Sequence, residues 1–188
     1  MTILILGLII FLGIHLLPTC PGVRARLVEK FGEKSYKGFY SLVAASGLIV
    51  IIVGMIYRDF VHLWIPPVWG RHAAMALMFP AIILLGAADV RSNVKRFIRH
   101  PMLWGVTLWA CAHLLANGDL ASLILFGSFG SYALFDMWSA NRRGSEKSTQ
   151  AYPVSKDVKL AIIGIAVYAV IIFIHPYVIG IPVIVDSF

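Results

Sequence analysis

Charge is what this sequence has least of. Only 13% of its 188 residues are Asp, Glu, Lys or Arg, against 60% hydrophobic, and the mean hydropathy is +0.85. A soluble domain carries about a quarter charged residues, so this composition excludes one and points to an integral membrane protein. Also missing is the roughly ten-residue polar–apolar alternation of a membrane β-barrel. The apolar runs are continuous and about 16 to 22 residues long, which suits α-helices crossing a bilayer. Cysteine is scarce too. Cys20 and Cys111 are too few for a disulfide framework and lack the spacing of a metal site. Acidic residues number nine against 16 Lys and Arg, for a net charge of +7. These basic residues are scattered over short loops and form no face, so nucleic acid is excluded as a partner and anionic lipid headgroups remain.

What is there reads as six apolar segments in one domain spanning 1–188, with no internal repeat. The first, Met1 to Leu17, lacks the positive start and small-residue cleavage site of a secretory signal and is expected to be a retained helix. The others run from about Gly38 to Tyr57, Val68 to Ala88, Pro101 to Gly118, Leu120 to Trp138 and Val158 to Val178. Pro101 suits a first helical turn, where no N–H is needed. Pro80 should kink the third segment, and Gly118-Asp119 leaves room only for a tight hairpin between the fourth and fifth. The expectation is an all-α polytopic membrane bundle of about six transmembrane helices. Orientation follows from the basic residues. With the N-terminus outside, the first, third and fifth loops (Lys159 included) hold 14 of the 16, and Arg58 and Arg71 are the exceptions. The positive-inside rule then puts both termini on the periplasmic side of a bacterial inner membrane.

Depth sorts the histidines. His113 lies 12 residues beyond Pro101, roughly 18 Å up its helix. His72 enters from the opposite side, about 6–8 Å deep if its helix begins near Val68. The two are expected within a few Å of each other in height, whereas His15 should lie somewhat below the midplane. An imidazole at such depth is costly unless partnered. Two of them converging from separate helices are a common way to hold haem iron, and Trp109, one turn before His113, would line the porphyrin. Interhelical hydrogen bonding is the other reading of the same residues. Cys111, two positions from His113, is expected on nearly the opposite face as a small packing residue. A second group comprises Arg99, His100 and Asp136. The hairpin returns Asp136 to the basic end beside Arg99, where the three would either contact a phosphate or carboxylate headgroup or pair with one another.

Longer stretches carry a family likeness. Arg99-His100-Pro101-Met102-Leu103-Trp104-Gly105, continuing through Trp109, Ala112-His113-Leu114 and Asn117-Gly118-Asp119, resembles the signature of the NnrU family. So do His15-Leu16-Leu17-Pro18, Arg24-Ala25-Arg26-Leu27, Tyr40-Ser41-Leu42 and Asp136-Met137-Trp138 with Arg142-Arg143. The resemblance implies a link to nitrite and nitric oxide metabolism in denitrifying bacteria. The family is similar to plant and cyanobacterial zeta-carotene isomerase, a membrane enzyme using haem b. That similarity implies His113 and His15 as ligands, whereas depth alone pairs His113 with His72. It also places a cysteine where this chain has Ala110. Three functions follow: a haem b protein, isomerase-like or sensing, acting on a hydrophobic small molecule; a non-enzymatic accessory protein for denitrification enzymes; or a lipid or prenyl methyltransferase using S-adenosylmethionine. The Arg-His-Pro element resembles the isoprenylcysteine and phospholipid methyltransferases, but their paired glutamates have only the separated Asp136 and Glu146 here.

Overall fold

A computed structural model describes residues 1–183. The six apolar segments are all helical: α1 (Thr2–Leu16), α3 (Glu33–Ile56), α4 (Gly70–Gly86), α6 (Pro101–Ala116), α7 (Leu120–Arg142) and α8 (Val154–Ile179). Two shorter helices lie in the basic loops, α2 (Pro21–Phe31) and α5 (Val94–Phe97). A 3₁₀ turn over Leu17–Thr19, with Pro18 inside it, follows α1. With that turn included, α1 is long and apolar enough to cross a membrane, as are α3, α7 and α8. The other two fall short of the six expected spans by length. α4 has 17 residues and α6 has 16, and 16 residues rise about 24 Å against a hydrocarbon core of roughly 30 Å. α4 continues through Pro80 as one helix.

The missing height at that end is filled by paired backbone. Leu63 and Trp64 N–H both donate to Gly118 O, at 2.8 and 3.1 Å, and Leu120 N–H donates to Val61 O at 2.9 Å. His62 and Asp119 form an isolated antiparallel bridge. Irregular backbone is tolerated near a membrane where protein satisfies its polar groups, and this loop is satisfied by the α6–α7 hairpin. Asp119 caps α7 there, only 4% exposed, accepting from Ser122 N–H (3.0 Å) and Ser122 Oγ–H (2.6 Å).

The strongest pairings place the long helices in one order, α3, α1, α7, α6, α4, α8. In lipid no hydrophobic force draws helices together, so close approach must come from small residues. The α1–α3 seam has them on both sides. A Cβ on Gly7 would lie 2.5 Å from Ile51 N, and one on Gly47 would lie 2.7 Å from Phe11 N. Gly105 does the same for α6 on α4, where a Cβ would meet Leu85 Cγ at 2.8 Å and Ala81 O at 2.9 Å. The core runs through the middle of the order, with Leu4, Leu8, Ile51, Ala110, Leu125 and Phe126 buried and Phe11, Trp109 and Phe129 packed on it.

Candidate functional site

Aromatic rings fill the junction of α1, α7 and α6, and a histidine stands at each end of them. His15 stacks on Phe11 with ring centroids 4.2 Å apart. Phe11 meets Phe129 at 5.4 Å, and Phe129 meets Trp109 at 5.5 Å. Trp109 lies 5.2 Å from His113, which stacks on Phe126 at 4.4 Å and 22°. Phe11 and His15, like Trp109 and His113, are four residues apart and share one helix face.

Both histidines are oriented in the same way. His15 Nδ1 bonds Phe11 O at 2.6 Å, and His113 Nδ1 bonds Trp109 O at 2.8 Å. A carbonyl oxygen only accepts, so each Nδ1 must carry a proton, and in the neutral form of either ring the lone pair is then on Nε2. Neither Nε2 has a hydrogen-bond partner among the described residues. A metal-binding histidine commonly donates its other ring N–H to a carbonyl in this fashion.

The expected convergence of two imidazoles does not occur. Three rings stand between His15 and His113. Their neighbours on α7, Tyr132 (6.1 Å from His15) and Phe126, are six residues or about 9 Å apart along that helix. His72 is exposed in the first turn of α4 and makes no hydrogen bond or ring contact among the described residues. It shares a height with His113, but His113 is turned towards Phe126 of α7. Cys111 is exposed on α6, and so is not the packed residue expected. No group of three or more His, Cys, Asp or Glu is placed to hold a metal ion among the described residues.

The group expected at the basic end divides in two. Arg99 Nη1 and His100 Nε2 both reach Asn141 Oδ1, at 2.7 and 2.9 Å. Asp136 faces away from them, 3.5 Å from Arg143 Nη2 and 3.5 Å from Tyr132 Oη. Asp136 and Asn141 are five residues apart, about 140° around a helix, and so serve opposite sides of α7. Asp136 thus belongs with His15: Tyr132 Oη–H donates to His15 O at 3.1 Å, and Arg143 donates to Ser139 Oγ and to Thr19 O. Tyr40 adds an edge to the His15 ring at 5.5 Å, and behind it the Tyr36 hydroxyl is buried without a hydrogen-bond partner among the described residues.

Sequence reasoning missed Tyr36, Phe129, Tyr132 and Asn141, and named Tyr40 and Arg143 only within the family likeness, without a place at the site. The four-residue steps from Tyr36 to Tyr40 and from Tyr132 to Asp136 were available signals.

A family comparison covers nearly all of these residues. The model of the NnrU family, described as NnrU protein, matches residues 3–183. No curated protein and no solved structure matches the chain. The chain belongs to the NnrU family.

Proposed function

We propose that this NnrU-family protein resides in the bacterial inner membrane with both termini periplasmic, serves nitrite and nitric oxide metabolism, and binds haem b through His113. The observation that carries the reading is the Nδ1–H···O=C bond to Trp109, which leaves His113 Nε2 as an oriented electron-pair donor beside Trp109 and Phe126. His15 has the same donor chemistry but faces a different, hydroxyl-rich surrounding. His113 would therefore hold the group through Nε2, and His15 stands apart from it behind Phe11, Phe129 and Trp109. Bound haem would supply a redox-active iron, able to take a diatomic nitrogen oxide or to serve an isomerase-like reaction on a hydrophobic small molecule.

Protein purified from haem-replete cells should show a Soret band. His113→Ala should remove it, and His62→Ala, in an exposed loop, should leave it. Native protein without visible absorbance would overturn the haem reading. The stacking of His113 on Phe126 would then be packing alone, and the non-enzymatic accessory role for denitrification enzymes would lead.

A further inference from the structure

An open groove of about 470 Å³ lies between the start of α6 and the end of α7, on the side of α7 opposite Asp136. Its rim is basic: Arg99 and Lys147 line it together with His100 and Asn141. No Asp or Glu lines it among the described residues. Arg99 has five N–H donors, and among the described residues its side chain bonds a neutral amide oxygen that it shares with His100. The guanidinium is thus held in place without its charge being balanced. The opposing wall is apolar, made by Trp104 (44% exposed), Leu134 (53%) and Trp138 (51%). Arg142 lies over the Trp138 ring at 4.3 Å, which brings a further cation to the same edge.

A groove with fixed cations at its mouth and an outward-facing apolar wall has the polarity of one phospholipid molecule. We propose that it holds an anionic phospholipid, with its phosphate on Arg99, His100 and Lys147 and an acyl chain along Trp104, Leu134 and Trp138. The charge excludes a zwitterionic lipid as the preferred occupant, because no carboxylate is present for its ammonium. A free phosphate ester would leave the apolar wall unused. The inference is independent of haem, since the groove and the His113 rings lie on different parts of α6 and α7.

Native mass spectrometry of the detergent-solubilised full chain tests it with three probes: phosphatidylglycerol, phosphatidylcholine and glycerol 3-phosphate. Phosphatidylglycerol should be retained in preference to the other two. A basic residue near a headgroup is worth about a fivefold change in affinity, so Arg99→Gln and Lys147→Gln should each weaken retention about that much. Lys156→Gln, on a basic residue outside the groove, should not. Asn141→Asp keeps the side-chain shape, gives Arg99 and His100 a carboxylate and should abolish the preference without loss of folding. Equal retention of the two lipids would overturn the proposal, as would unaltered binding in Asn141→Asp. Equal binding of glycerol 3-phosphate would also overturn it, by showing that the apolar wall takes no part.

Discussion

Gly47→Ala tests the seam that positions the ring row. The new Cβ would stand 2.7 Å from Phe11 N, 2.9 Å from Phe11 Cα and 3.0 Å from Phe11 Cβ. Ordinary carbon contacts need about 3.5–4.0 Å, so α1 and α3 must part by roughly 1 Å. The nearest atoms are backbone and cannot rotate away, and Gly7 (against Ile51) and Gly54 (against Leu4) hold the same seam one and two turns further along. Overpacking of this kind costs about 1–3 kcal/mol. Gly13→Ala on α1 is the control, because nothing lies within 4 Å of its Cβ position. It should be neutral or stabilising by about 0.5–1 kcal/mol through helix propensity. Thermal unfolding in detergent reads both variants. Phe11 also carries the carbonyl that orients His15, so Gly47→Ala should shift the His15 ring resonances while Gly13→Ala leaves them. A Gly47→Ala protein as stable as the native chain would refute the close-approach argument.

Removing the buried cap with Asp119→Ala should lower stability by about 1–2 kcal/mol, seen as a lower Tm, and Asp119→Asn should recover part of it. Topology is checked by fusion: alkaline phosphatase attached after Phe188 should be active, and a fluorescent protein that folds only in the cytoplasm should stay dark there. His72→Ala, on an exposed ring, should change neither stability nor any bound chromophore, as absorbance and Tm together will report.

Hydropathy alone located all six long helices because a membrane segment must satisfy its backbone internally, and a continuous apolar run leaves it no alternative to a helix. Helix ends were less legible. α3 begins at Glu33 and α7 ends at Arg142, since polar residues extend helices into the interface without an apolar mark. The site was legible in residue type and depth but not in direction. Rise per residue gave His72 and His113 a common height, yet which way each faces depends on how α6 packs against α4 and α7. That packing is set by glycine contacts such as Gly105 on Ala81, which no periodicity announces. The same blindness joined Asp136 to Arg99, where five residues of helical rotation assign Asn141 to Arg99 and return Asp136 to His15.

The spin state of ferric haem in the purified native protein, where the proposal places it on His113, tests the central claim most directly. Phe11, Phe129 and Trp109 separate His15 from His113, so haem held as proposed would take one imidazole, that of His113, from the protein. Electron paramagnetic resonance of the ferric protein should therefore give a high-spin signal, unchanged in His15→Ala and absent in His113→Ala. A low-spin bis-histidine signal that converts to high spin in His15→Ala would contradict the account.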